Sequence, residues 1–257
     1  MKIAITGKGG VGKSTLSAAL ALLLAKNGSE VIAFDSDPDA NLAQALGLSH
    51  EEQEKIVPIS QQIDLIEERT GAKVGQTGQI YKLNPDVRDV VEKYAYKLGN
   101  ISLLVLGAIK AGGGGCACPE NTFARVLTTD LVLFKNQTLI MDMEAGIEHL
   151  GRATVKGVDV VICVVEPGLR SIDCALTIDR MAREIGLSHI DFVANKVANA
   201  EEEAYIREQL PREPLGVVPL STAVREADRD GLSVLDTADP ALIAVYEGIL
   251  KKLEVEK

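Results

Sequence analysis

"GKGGVGKST", residues 7 to 15, follows directly on the apolar run "KIAIT" at 2 to 6 and precedes the helical stretch "LSAALALLLA" at 16 to 25. Its spacing fits G-x-x-x-x-G-K-[ST], with Gly7, Gly12, Lys13 and Ser14 at the defining positions. Glycines let the chain turn so that backbone N–H groups from Gly9, Gly10, Val11 and Gly12 through Lys13, Ser14 and Thr15 face inward around phosphate oxygens. The helix that follows presents its N-terminus to the same charge. Lys13 then reaches the β- and γ-phosphates, and the Ser14 hydroxyl can ligate Mg²⁺. A strand before and a helix after predict a nucleotide site rather than a chance glycine-rich turn.

Further apolar runs repeat the strand signal: "EVIAFDSD", "ISLLVLGAI", "TLIMDME", "VVICVVEP", "IDFVANK" and "GVVPLS". Most lack polar alternation, as strands buried on both faces of a parallel sheet do, and helical stretches lie between several of them. The pattern predicts an α/β fold, a doubly wound, mostly parallel sheet with helices on both faces. Residues 1–257 read as a single domain. Between the second and third runs, about 47–100, no strong strand stands out, and the Gly/Gln-rich patch "TGAKVGQTGQ" suggests a helical insertion with a mobile loop.

With 37 acidic against 27 basic residues the net charge is −10. Such a chain repels phosphate backbones and anionic lipid, which argues against a nucleic-acid or membrane partner. The opening residues lack a secretory h-region. The best helical apolar run is half the roughly 20 residues that a bilayer crossing takes. A soluble, cytoplasmic protein is expected.

In an open α/β sheet the carboxyl ends of the strands face the ligand crevice. "AFDSDPDAN" places Asp35, Asp37 and Asp39 at one such end, and "LIMDMEAG" places Asp142 at another, whereas its Glu144 fits a structural role as well. Carboxylates there can hold the waters of Mg²⁺ or orient an attacking water. "VANKV" sets Asn195 and Lys196 at a third strand end, and "VVPLS" sets Pro219 at a fourth.

Four cysteines are too few and too unevenly placed for a disulfide framework. Cys163 reads as a strand residue and Cys174 as a helix residue, leaving Cys116 and Cys118 of "AGGGGCACPE" as a set. Structural zinc takes four ligands, and the three histidines, His50, His149 and His189, are scattered. One chain cannot complete the site, but a two-fold axis would bring two copies of the pair together as four thiolates. The glycines would let two backbones approach there. Tetrahedral thiolates suit zinc, and planar ones suit nickel or copper. The same spacing also fits a redox pair or two incidental surface cysteines.

"KGGVGKST", with a second lysine at Lys8, resembles the deviant Walker A of the family that includes partitioning ATPases, division-site ATPases and the nitrogenase iron protein. The resemblance implies ATP as the ligand and a face-to-face homodimer in which Lys8 crosses to the partner's nucleotide. It implies water positioning by Asp37, a place beside Mg²⁺ for Asp142 with Ser14 and Asp37, and contact with adenine by Asn195 and Pro219. "GGGGCACPEN", "DMEAGIEHLGRAT" and "VVEPGLRSID" narrow the likeness to the CooC and AcsF type of accessory ATPase. That type implies Ni²⁺ or Zn²⁺ held by Cys116 and Cys118 across the dimer, and nickel delivery to carbon monoxide dehydrogenase or acetyl-CoA synthase. Two other classes compete: an ATP-driven positioning or partitioning switch, and an iron–sulfur electron-transfer ATPase.

Overall fold

The computed structural model describes residues 1–76, 78–108, 118–131, 137–144, 158–187 and 189–255. The chain opens with β1 (Lys2–Gly7), α1 (Lys13–Lys26) and β2 (Glu30–Asp35). Short pieces follow: α2 (Leu42–Ala45), α3 (His50–Gln53), a 3-10 turn at Ile59–Gln61, α4 (Ile63–Thr70) and α5 (Val90–Tyr94). Next come β3 (Tyr96–Leu98), β4 (Ile101–Val105), α6 (Pro119–Asp130), β5 (Gln137–Asp142), β6 (Val160–Val165) and α7 (Leu169–Glu184). The last elements are β7 (Ile190–Val197), α8 (Ala200–Gln209), β8 (Gly216–Pro219), α9 (Thr222–Asp230), α10 (Val234–Thr237) and α11 (Pro240–Val255).

The eight strands form one sheet in the order β3-β4-β2-β5-β1-β6-β7-β8, and every neighbouring pair is parallel except β3 with β4. All seven apolar runs of the sequence are strands. β3 is the addition, lying inside the stretch expected to hold no strong strand. It is three residues long at the sheet edge, half-buried at Tyr96 and Leu98, and too short to show a period. Its signal is the Gly99-Asn100 pair between Leu98 and Ile101, a two-residue hairpin loop with Gly99 at φ 54°.

Alternate strand residues feed two cores. Ile3, Ile5, Val31 and Ala33 pack with α1, α2, α10 and α11, whereas Ala4, Ile32 and Phe34 pack with α4 to α8. α1 is buried around most of its circumference, from Leu16 through Ala21 and again at Leu23 and Leu24. It lies between the sheet and α11, which is why its sequence is apolar on every side. Fully burying one of its leucines contributes about 2 kcal/mol.

The segment between β2 and β4 docks on the second face, where Ile59, Leu65, Ile66, Val87 and Val90 join Phe34, Leu104 and Phe123. Side chains bond to the backbone within its Gly/Gln-rich patch. Gln79 accepts from the Lys73 N–H (2.8 Å) and donates to the Lys73 carbonyl (2.7 Å), and Glu67 of α4 accepts from the Val74 N–H (3.0 Å).

Candidate functional site

The carboxyl ends of β2, β5, β1, β6 and β7 lie side by side, and the loop 7–12 rises from the middle one. Two glycines there are required by space. A Cβ on Gly7 would overlap the Val164 carbonyl of β6, and one on Gly12 would overlap the Asn195 amide, with φ at 144° and 97° respectively. At Gly9 and Gly10 nothing among the described residues lies within 4 Å of an added Cβ.

The loop carbonyls are held from behind. Asn195 Nδ2 donates to the Val11 carbonyl (2.7 Å), and Lys196 Nζ donates to the Gly10 carbonyl. In a trans peptide C=O and N–H point in opposite directions, so anchoring these carbonyls turns the N–H groups of Val11 and Gly12 toward the opposite side. The first turn of α1 carries no acidic residue and no side-chain cap, which leaves its N–H groups and positive dipole end for an anion.

Asn195 and Lys196 both reach the loop because β7 is irregular at that point. Its register with β8 shifts between Ala194 and Val197, and Lys196 has φ 58°. An extra residue in a strand re-aims the side chains around it. Lys196 Nζ also lies 3.4 Å from Glu166 Oε2, and Lys8 Nζ lies 3.5 Å from Glu166 Oε1. Glu166, directly after β6, thus pairs with both lysines, a role that sequence reading missed. The strand-end rule that singled out Asp142 applies equally to "VVEP" and could have found it.

On the other side of the loop Asp35 and Asp142 stand opposite each other in register at the ends of β2 and β5, both 0% exposed. Burial first, then the charge of Asp142, pushes the Asp35 carboxyl up to about 7. Burial raises Asp142 to about 6, against the pull of the Ser14 hydroxyl, the Lys13 ammonium and the Ser17 hydroxyl. Ser17, one helical turn after Lys13, has its single hydroxyl proton within reach of two acceptors, Asp142 Oδ1 (3.3 Å) and the Lys13 carbonyl (2.9 Å). It was another residue not foreseen, although its i+4 spacing from Lys13 marks it.

Asp142 Oδ2 is buried and, among the described residues, has no hydrogen-bond partner. A buried, unpaired carboxylate oxygen beside a serine hydroxyl fits a divalent cation of the oxygen-loving kind. Lys13, 7% exposed, directs Nζ toward Asp37 Oδ2 at 4.0 Å. The structure therefore gathers Lys13, Ser14, Asp37 and Asp142 around one point. Thr15 lies in the same first turn of α1. Pro219 is exposed at the end of β8, in register with Val197. Glu144 contributes its carbonyl to Thr6 Oγ1 (3.2 Å).

Cys118 is half-buried at the N-cap of α6, where its sulfur accepts from the Asn121 N–H (3.4 Å) and Pro119 begins the helix. Burial pushes its thiol up, and the neighbouring Glu120 adds to this while the Asn121 N–H opposes it. Cys116 and the glycines 112–115 lie outside the described residues, as does His149. Cys163 is buried in β6, and Cys174 is half-buried in α7.

Residues 2–234 match the family described as the CobQ/CobB/MinD/ParA nucleotide binding domain. The chain is 46% identical over 231 residues to the uncharacterized ATP-binding protein MJ0823 of Methanocaldococcus jannaschii, covering 89% of this chain and 88% of that protein. It is 42% identical over 237 residues to the carbon monoxide dehydrogenase accessory protein CooC of Rhodospirillum rubrum, covering 92% and 90%. The septum site-determining protein MinD of Pyrococcus horikoshii, complexed with Mg-ADP, shares the fold with a TM-score of 0.69 at 19% identity, covering 98% of this chain and 95% of that one. With the loop, the sheet order and these relatives in agreement, the chain belongs to the CobQ/CobB/MinD/ParA nucleotide-binding family, within it to the CooC type, and is an ATPase.

Proposed function

We propose that this ATPase is a metallochaperone: a homodimer that couples ATP binding and hydrolysis to delivery of nickel to a carbon monoxide dehydrogenase or acetyl-CoA synthase client. The observation that carries the reading is Cys118, half-buried at the start of α6, in a chain 42% identical to a protein named as a carbon monoxide dehydrogenase accessory protein. The cargo, Ni²⁺ or Zn²⁺, would be bound by two copies of the Cys116/Cys118 pair as thiolates, so loading releases protons, among them that of the Cys118 thiol, whose pKa burial raises.

At the nucleotide, the N–H groups of Gly9 to Thr15 surround the phosphates and Lys13 neutralises their β and γ oxygens. Ser14 and Asp142, with Asp37 beside them, would hold Mg²⁺, which supplies charge neutralisation between phosphate oxygens. Asp37 orients the attacking water. Lys8 leaves Glu166 and crosses to the partner's nucleotide, acting as a cationic finger in trans. Asn195 uses one N–H on Val11 and accepts from the Lys196 N–H (2.9 Å), which leaves one N–H and one lone pair for the adenine edge, with Pro219 nearby.

The two sites are coupled only if the nucleotide states differ in metal affinity. Nickel and zinc titrations of apo, ADP-bound and ATP-bound protein test this, with Cys116→Ala/Cys118→Ala alongside and molecular mass measured throughout. One ion per dimer, lost in the double variant, is expected. Unchanged stoichiometry in that variant would sink the reading.

A further inference from the structure

Asp35 ends β2 with its carboxyl fully enclosed, and among the described residues it forms no ion pair. A buried carboxylate without a cation costs free energy, so strand stability does not account for an acid at this position. Its hydrogen bonds are informative. Oδ1 accepts from the Asp37 N–H (3.2 Å) and Oδ2 accepts from the Leu42 N–H (2.9 Å). Those two residues bracket the turn that carries Asp37, so one carboxylate ties both ends of that turn to the sheet.

The turn is held rather than relaxed. Ala40 sits at φ 41°, a conformation that is strained for a non-glycine residue and persists only where the surroundings impose it. Ser36 donates both its N–H and its hydroxyl to the Asp142 carbonyl, each at 2.9 Å. The Asp39 N–H donates to Asp37 Oδ1 (3.0 Å), leaving Oδ2 on the side of Lys13.

We propose that Asp35 is a positioning residue for ATP hydrolysis: by accepting from the Asp37 and Leu42 amides it fixes the 37–42 turn and hence where Asp37 presents its carboxylate. This rests on the reading of Asp37 as the residue that orients water, and Asp35 would act through Asp37 rather than on the nucleotide itself.

The test is Asp35→Asn. The amide keeps the volume but retains one acceptor and turns its NH₂ toward a backbone N–H, so one of the two ties is lost. The expected result is a kcat about ten- to hundred-fold lower, the scale of an ångström-sized misplacement, with KM for ATP within about three-fold and a cooperative unfolding transition retained. Combining it with Asp37→Asn should slow turnover no further than Asp37→Asn alone, because a residue acting through Asp37 has nothing left to position. Asp35→Ser, which also offers a single short acceptor, is expected to give the same split and serves if Asp35→Asn fails to fold. Wild-type kcat in either folded variant, or losses that multiply in the double variant, would overturn the proposal. Normal turnover in Asp37→Asn would bring down the reading of Asp37 and this proposal with it. That pattern is distinct from an Asp37→Asn that is slow beside an Asp35→Asn that is not.

Discussion

Asn195 fills the space that a side chain on Gly12 would need, and from there its Nδ2 holds the Val11 carbonyl at 2.7 Å. Gly12→Ala therefore meets two obstacles, the overlap with Asn195 and a φ of 97°. ATP binding is expected to fall by at least about ten-fold and stability by about 1–3 kcal/mol, measured by calorimetric titration and urea unfolding. Asn195→Ala removes the overlap but also the carbonyl anchor. It should not restore binding to Gly12→Ala, and restoration would show that the anchor is dispensable.

The pairing of Lys8 with Glu166 is between partly exposed side chains, 39% and 26% exposed, and is worth little to the fold. Lys8→Ala should leave the unfolding midpoint and ATP affinity nearly unchanged while lowering hydrolysis by about a thousand-fold or more, the scale of a cationic finger. Phosphate release under saturating ATP measures it. A Lys8→Ala protein that turns over normally would make Lys8 a solvated loop lysine paired with Glu166.

Gly107, just after β4, tests close packing. It has φ 73°, and a Cβ there would lie 2.6 Å from Pro58 Cβ and 2.9 Å from Ser60 Oγ. Gly75 has nearly the same φ, 77°, with nothing among the described residues within 4 Å of a Cβ. Gly75→Ala should cost about 1 kcal/mol for the backbone alone, and Gly107→Ala about 2 kcal/mol or more. Equal losses in denaturant unfolding would mean that the Pro58 contact yields freely.

Asp89 links α4 to α5. Its carboxyl lies 2.9 Å from the Arg69 guanidinium and 2.7 Å from the Lys93 ammonium, and Arg69 first and then Lys93 hold it below the usual carboxylate range. A depressed carboxyl stabilises the folded chain above its unfolded value of about 4, and that stabilisation disappears as pH falls through the lower folded value. Asp89→Asn should thus melt below wild type at pH 7, with the gap closing as pH drops below about 4. A gap that is constant with pH would assign the loss to shape rather than charge.

The phosphate loop, the seven apolar strands and the acids at strand ends were legible because each rests on local chemistry. "GKGGVGKST" needs no distant residue to declare a strand–loop–helix turn that can wrap phosphate, and a continuous apolar run such as "VVICVV" declares a strand buried on both faces. β3 escaped because a three-residue edge strand carries almost no period, and only its Gly99-Asn100 turn marks it.

What the tertiary structure decided is which of those residues meet, and sheet register sets that. Asp35 and Asp142 are opposed because β2 and β5 are neighbours in the strand order, which no local pattern specifies. Asn195 and Lys196 turn toward the loop because β7 shifts register against β8, and a single-residue shift changes which way every later side chain points. Glu166 becomes the shared partner of Lys8 and Lys196 for the same reason, its strand lying between theirs. The sequence by itself determined the chemistry available at the strand ends. The long-range pairing of strands determined how that chemistry is arranged, because contacts between distant residues depend on packing that only the folded chain possesses.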